Sequence, residues 1–275
     1  MKDFHVVIAG CGAVGSRIAL LLAEAGVGRL TLIDEDRMGA ENVARHPAGV
    51  RFLGRPKVDA IKTMIGERSP HVIVQAKPCR IEDALNDDGL KSPTVIVLAT
   101  GDETLERRMA TELRRVAPLV HVWVEPLGLG GHVIASRPES PGCYECLFDR
   151  TDEGVLHNTA SFAAPGQDFT RAIAGCTGRF TPFSGLDAER AAVEGARAVV
   201  VFVEGNKDAA LIGWIESSER FVAEGYRLSS AGMNWEQGTR RRLLLQSIKR
   251  ITCVCVDGAP TAEPARVEPG TMAPA

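Results

Sequence analysis

Val6-Val7-Ile8-Ala9-Gly10-Cys11-Gly12-Ala13-Val14-Gly15, continuing as Ser16-Arg17-Ile18-Ala19-Leu20-Leu21-Leu22-Ala23-Glu24-Ala25-Gly26, carries the strongest fold signal in the chain. A short apolar run reads as a buried strand. It ends in G-x-G-x-x-G and opens directly into an apolar-rich helix. Gly10 and Gly12 permit a tight turn and close approach of backbone to phosphate, and Gly15 lets the helix pack on the strand. The helix N-terminus offers free N–H groups to an anion. Downstream, Arg29-Leu30-Thr31-Leu32-Ile33 reads as a second strand closed by Asp34. An acid about 20 residues past the glycines is placed to accept hydrogen bonds from a ribose. These features define a Rossmann-like nucleotide-binding unit. Alone, they fit an NAD enzyme as readily as an ATP enzyme.

Bulk composition narrows the class. A chain of 275 residues suits one large domain with elaborations. The 32 basic and 35 acidic side chains nearly cancel, so no nucleic-acid or membrane partner is expected. No apolar run reaches membrane-spanning length. Met1-Lys2-Asp3-Phe4-His5 leads straight into the first strand, so no signal peptide is expected and the protein reads as cytoplasmic. The 7 cysteines read as metal ligands, nucleophiles or buried thiols rather than a disulfide framework.

Helical and strand patterns then alternate. Pro56 to Arg68 reads as a helix with Val58, Ile61 and Ile65 on one face, Val72 to Ala76 as a strand, and Ile81 to Leu90 as a weaker helix. Thr94 to Thr100 reads as a buried strand, Glu103 to Val116 as an amphipathic helix, and Leu119 to Val124 and Gly131 to Ser136 as strands around a glycine-rich bend. The pattern predicts an α/β fold: a mostly parallel sheet with helices on both faces. Residues 138–185 form a long irregular stretch, which is uncommon inside a domain and usually functional. Beyond it the sequence predicts helices over Leu186–Val203 and Asp208–Gly225, and late antiparallel strands over Arg240–Gln246 and Arg250–Val256. Residues 257–275 are Pro-, Ala- and Glu-rich and read as a disordered tail.

Polar groups gather at the carboxyl ends of the predicted strands or just beyond: Asp34 and Asp36, Asn42 and Arg45, Lys57, and Asp102. Ligands bind at those ends in open α/β sheets. NAD needs no such cluster of cations. A triphosphate under attack does, because Arg and Lys neutralise charge developing on the phosphoryl group while an Asp holds Mg²⁺.

Asp34-x-Asp36, Asn42-x-x-Arg45, Gly54-x-Pro56-Lys57 and Thr100-Gly101-Asp102, in that order, resemble the ATP site of the ThiF/MoeB/HesA family, the adenylating relatives of ubiquitin-activating enzymes. The resemblance is strong over residues 5–135 and looser through the cysteines. Gly10 to Ser16, Glu41 to His46 and Glu125-Pro126-Leu127-Gly128 look most like the bacterial ubiquitin-like activating branch. The resemblance implies an adenylation domain over 1–256 in which Asp34 binds the ATP ribose, Asn42, Arg45 and Lys57 bind the phosphates, and Asp102 binds Mg²⁺. It implies attack by the C-terminal carboxylate of a ubiquitin-like or sulfur-carrier protein on the α-phosphate, and a homodimer. One departure stands out. Members of the MoeB type carry an N-terminal helix with an arginine that reaches the partner subunit's ATP site. Here five residues precede the first strand and none is arginine, which leaves three alternatives: Arg17 or another internal arginine substitutes, a partner protein supplies the group, or the site is weak.

Cys143-Tyr144-Glu145-Cys146 is a C-x-x-C pair and Cys253-Val254-Cys255 a C-x-C pair. The resemblance implies a structural zinc at these positions, although family members carry two C-x-x-C pairs; the residues alone also allow packed thiols on one strand face. Cys176 stands in the irregular stretch with Arg171 and Arg179 nearby, and cations lower a thiol pKa. The resemblance makes it the acyl acceptor, forming a thioester for handover to a conjugating enzyme. A plain loop thiol or a substitute zinc ligand is the alternative. Cys11 reads as a buried filler, His46 as a solvated loop residue with substrate contact as the alternative, His121 and His132 as structural, and Arg240-Arg241-Arg242 as a solvated strand edge with a face for an acidic partner as the alternative. The rival functions are an adenylase acting on another carboxylate in tRNA or peptide modification, a non-catalytic scaffold subunit, and an NAD(P) dehydrogenase, which leaves Gly54-x-Pro56-Lys57 and the paired cysteines unexplained.

Overall fold

The computed structural model describes residues 1–85, 92–172, 179–205, 208–251, 253 and 255. Cys176, the expected tail 257–275 and the end of the helix expected over 81–90 lie outside the described residues. In chain order the elements are β1 (His5–Ala9), α1 (Ala13–Glu24), β2 (Arg29–Ile33), α2 (Lys57–Arg68), β3 (Ile73–Lys77), α3 (Ile81–Leu85), β4 (Val95–Leu98), α4 (Glu103–Glu112), β5 (Leu119–Val124) and β6 (Gly130–Ser136). The irregular stretch holds two small hairpins, β7 (Phe148–Arg150) with β8 (Leu156–Asn158), and β9 (Arg171–Ala172) with β10 (Arg179–Phe180). Then follow α5 (Gly185–Val203), β11 (Ala210–Ile215), α6 (Glu219–Ala223), α7 (Ser230–Asn234) and β12 (Arg240–Leu244).

The central sheet has eight strands in the order β12-β11-β6-β5-β4-β1-β2-β3. The run β3-β2-β1-β4-β5 is parallel, and β6, β11 and β12 extend it antiparallel. Strand order reverses between β1 and β4, which places a crevice at their carboxyl ends. The glycine turn leaves β1 there, and Thr100 to Asp102 leaves β4 beside it.

Alternation along β1 sorts the core. Val6 and Ile8 pack under α1, α2 and α5, whereas Val7 and Ala9 face α3 and α4. Fully burying a side chain such as Ile8, Ile18, Leu22 or Ile61 contributes about 1.5–3 kcal/mol, and all four are completely buried. Among the described residues no helix is long and apolar enough to cross a membrane.

Two sequence expectations fail at the late end. The helix expected over 208–225 is instead β11, buried at all six positions between β6 and β12, followed by the short α6. Ala-Leu-Ile-Gly-Trp-Ile is a short apolar run that periodicity cannot assign, and insertion into the sheet decides it. The strand expected over 250–256 is also absent among its described residues. Ile251, Cys253 and Cys255 lie in turns or a bend, because there the thiols curl toward Cys143 and Cys146. Arg240 to Arg242 form the exposed edge strand, as expected.

Candidate functional site

Gly10 takes a φ of +88°, and a side chain there would meet the Ala99 carbonyl at 2.5 Å. At Gly15 a Cβ would lie 1.9 Å from the Gly10 carbonyl. Both glycines are therefore demanded by the meeting of the turn with β4 and with the start of α1. Gly12 differs: nothing lies within 4 Å of a Cβ placed there. Its open space belongs to a cavity of about 510 Å³.

Gly12, Asn42, Arg45 and Lys57 line that cavity together with Thr100, Glu103, Glu106, Trp123, Glu125 and Tyr144. A smaller cavity of about 180 Å³ is lined by Gly10, Asp34, Asp36 and Asp102. Thr100 borders both. The polar groups that the sequence aimed at one place are thus divided over two neighbouring basins, one bearing the cations and one the carboxylates.

Asp34 ends β2 and accepts hydrogen bonds from the Cys11 amide at 2.6 Å and the Asp36 amide at 2.8 Å. Burial raises its pKa, and Lys57 opposes that shift. Lys57, at the start of α2, is almost fully buried and reaches Asp36 at 2.6 Å. Asn42 ends a 3-10 turn, its Oδ1 accepting from the Gly39 amide at 3.0 Å. The Asn42 carbonyl accepts from the amides of Arg45 and His46, fixing the loop that carries both. Burial lowers the Arg45 pKa, with Glu41 acting against it. Arg17 does not line the larger cavity. It braces this loop from α1, donating to the carbonyls of Ala13 and Arg45 and pairing with Glu189 of α5 at 2.7 Å. Asp102 caps α4 through Oδ1, which accepts from the Leu105 amide at 3.0 Å. Its side chain is exposed, and among the described residues no donor engages Oδ2, so the carboxylate fits a solvent-side Mg²⁺ ligand.

The far wall was not legible as a site. Glu106 is buried; Oε1 accepts from the Thr100 amide and hydroxyl, both at 2.9 Å, and Oε2 faces His121 Nδ1 at 3.2 Å. Glu125 is also buried and meets His132 at 3.0 Å and the Ser161 hydroxyl at 2.8 Å. His121 and His132 are therefore structural, as expected. A signal for Glu106 was present: it shares a helical face with Met109, Ala110 and Leu113, where a carboxylate must find partners. Glu103 stands at the mouth, its pKa raised mainly by burial. His46 corrects the sequence reading. It is 5 % exposed and bonded to the glycine turn rather than solvated, and burial lowers its pKa to about 4.

The sulfur atoms of Cys143, Cys146, Cys253 and Cys255 all lie within 4.8 Å of one another, buried, with closest pairs at 3.5 and 3.4 Å. Four thiolates at 2.3 Å from a tetrahedral zinc stand about 3.8 Å apart, so the donors fit that ion. The Gly142 and Arg250 amides donate to Cys255 and Cys146 sulfurs, as suits thiolates. Cys11 is fully buried and its thiol pKa is raised by that burial.

A mostly parallel sheet with its glycine turn, an acid just past β2 and a cation-lined cavity at the switch point are the features of a nucleotide-binding type of α/β domain. The ThiF family model matches residues 1–203, and the chain belongs to that family. Curated relatives include the ATP-dependent ubiquitin transferase-like protein Cap2 of Pseudomonas aeruginosa, 26 % identical over 73 % of this chain and 36 % of its own length. The molybdopterin-synthase adenylyltransferase of Escherichia coli is 33 % identical over 57 % of this chain and 63 % of its own. The chain therefore spans about a third to two thirds of these relatives. Among solved structures, E. coli MccB crystallised with MccA superimposes with a TM-score of 0.62 at 19 % identity, covering 92 % of this chain and 66 % of that one, a likeness of fold.

Proposed function

We propose that this chain is an ATP-dependent adenylyltransferase acting on the C-terminal carboxylate of a ubiquitin-like or sulfur-carrier protein. The observation that carries the reading is the convergence of Asn42, Arg45 and Lys57 with the open face of Gly12 on one cavity. The names borne by the relatives, adenylyltransferases of molybdopterin synthase and of the sulfur carrier ThiS, support it.

Asp34 accepts from the ribose, and Gly10, Gly12 and Gly15 shape the turn over the phosphates. Asn42, Arg45 and Lys57 hold the phosphate oxygens. Asp102 would hold Mg²⁺, which supplies charge neutralisation on the leaving pyrophosphate when bound. A carboxylate oxygen of the substrate attacks the α-phosphorus; a new O–P bond forms, the bond to the bridging oxygen breaks, and pyrophosphate departs with the electron pair. This step needs positioning and charge neutralisation rather than a general base. The acyl group then passes to the Cys176 thiol, releasing AMP, and from that thioester to a conjugating enzyme. Cys143, Cys146, Cys253 and Cys255 hold a structural zinc, and the protein acts as a cytoplasmic homodimer.

ATP–pyrophosphate exchange tests this. Wild type incubated with ubiquitin-like and sulfur-carrier proteins bearing free C-termini should exchange label, and C-terminally amidated versions should not. Exchange should vanish in Asp102→Ala and survive in Cys176→Ala. Exchange with a short peptide but no carrier protein would shift the substrate class to peptides, and none with any carboxylate would favour a scaffold.

A further inference from the structure

We infer that Phe180 and Phe183 are positioning residues for Arg45, holding its guanidinium by ring contacts that leave its hydrogen-bond donors for the ligand. The Arg45 Cζ lies 5.1 Å from the centre of the Phe180 ring and 5.0 Å from that of Phe183. Both fall inside the roughly 6 Å at which a ring face attracts a cation. Among the described residues no carboxylate is within ion-pair distance of Arg45, and Glu41 acts on it only at longer range.

The choice of partner matters chemically. A carboxylate would occupy the in-plane N–H fork that also recognises phosphate. An aromatic ring engages the face of the guanidinium and spends none of those donors. An arginine side chain has many rotamers, and two rings restrict them before a ligand arrives.

The mount has two sides. From the helix layer, Arg17 donates to the Arg45 carbonyl and is anchored by Glu189. From the opposite side, Thr181 and Phe183, in the irregular segment between β10 and α5, line the same cavity as Arg45. The Pro182 carbonyl accepts from the Leu127 amide at 2.7 Å, fastening this segment to the turn after β5. The end of the irregular stretch thus forms part of the cavity wall around Arg45, a role its sequence, Phe180-Thr181-Pro182-Phe183, does not announce.

What Arg45 binds rests on the adenylation reading; how it is held does not. Selective ¹⁵N-arginine labelling separates the two. The Arg45 Nε–Hε signal, assigned by its loss in Arg45→Lys, should be shifted upfield by the rings and return toward the free-arginine position in Phe180→Leu and Phe183→Leu. An unshifted wild-type signal overturns the inference whatever the protein does. In the exchange assay each Leu variant should lower kcat/KM for ATP roughly 3- to 30-fold, with Tyr at either position restoring most of it. In an Arg45→Met background the Leu substitutions should add less than about twofold. An equal loss in that background would mean that the rings serve only the fold, and would also overturn the inference. If wild type exchanges no label, the adenylation reading fails while the resonance still decides the clamp.

Discussion

His46 Nε2 lies 2.8 Å from Ser16 Oγ and 2.9 Å from the Cys11 carbonyl, so the loop that carries Arg45 is tied to the glycine turn. The Ala48 amide donates to Nδ1 at 3.2 Å, which assigns the proton to Nε2 and makes the ring neutral. The Ser16 hydroxyl donates to the same Cys11 carbonyl at 2.7 Å. Glycine turn and arginine loop are one hydrogen-bonded unit.

That unit gives the stability a pH dependence with a definite sign. Burial lowers the His46 pKa from 6.5 to about 4. Between those values the unfolded chain binds the proton and the folded chain refuses it, so stability is complete above pH 6.5 and falls as the pH drops toward 4. The full loss is on the order of 3 kcal/mol. Denaturant unfolding of wild type and His46→Gln from pH 7 to 4 should show this component in wild type only. Equal slopes in the two proteins would assign the proton uptake elsewhere.

Gly12 and Gly15 predict opposite failures. A methyl at Gly15 would collide with the Gly10 carbonyl at 1.9 Å, so Gly15→Ala should lose several kcal/mol or not fold. A methyl at Gly12 meets no protein atom, and its φ of −77° suits any residue. Gly12→Ala should therefore keep its melting temperature within about 2 °C, since no buried contact or backbone state changes. It should weaken ATP binding at least tenfold if phosphate fills that space. Melting curves and calorimetric titration check the pair. A folded Gly12→Ala that binds ATP normally would move the phosphates away from the turn.

The sheet through β6 was readable because short apolar runs, the helical patterns between them and glycine spacing are local signals. Asn42, Arg45 and Lys57 were readable because their motifs lie in the one stretch from the end of β2 to the first residue of α2, and the structure does bring them to one cavity. Other features depend on contacts distant in sequence. β11 is short and apolar, and only its insertion between β6 and β12 makes it a strand. His46 looked like a loop residue because nothing local shows that it docks on Cys11 and Ser16. Phe180 and Phe183 stand more than a hundred residues from Arg45. Glu125 belongs to the local motif Glu125-Pro126-Leu127-Gly128, yet its buried bond to His132 follows from the antiparallel register of β5 with β6.

Lys57 and Asp36 should not fail alike. Lys57 Nζ is almost buried and lines the larger cavity, while the Asp36 side chain is 63 % exposed and borders the smaller one. Lys57→Met removes a cation from the larger cavity and, on the adenylation reading, should lower pyrophosphate exchange by roughly 10²-fold or more. Asp36→Asn removes only a partly screened ion-pair partner and should cost less than about tenfold. Steady-state kinetics of both variants at two salt concentrations check this. A larger loss in Asp36→Asn than in Lys57→Met would make the carboxylate, not the ammonium, the reacting-site group.

Loss of a zinc held by the four cysteines should reach the larger cavity through Tyr144. This residue lies between Cys143 and Cys146, lines the larger cavity, and stacks on His121 with ring centres 4.2 Å apart and planes 3° from parallel. Beside it, Glu145 is held by Arg107 of α4 in a bidentate pair, both contacts 2.8 Å. His121 contacts Glu106, which in turn holds Thr100 and Gly101 at the waist between the two basins. A tetrathiolate ion would pin this chain of contacts at its outer end. Freshly purified protein should contain close to one zinc per chain, and Cys143→Ser should lose it together with several degrees of melting temperature. If the coupling is as drawn, chelation should also quench or shift the fluorescence of Trp123, whose ring lies 5.7 Å from Tyr144, and lower ATP affinity. A chelated protein that loses its zinc but keeps its fluorescence and affinity would confine the metal to the fold of the late chain.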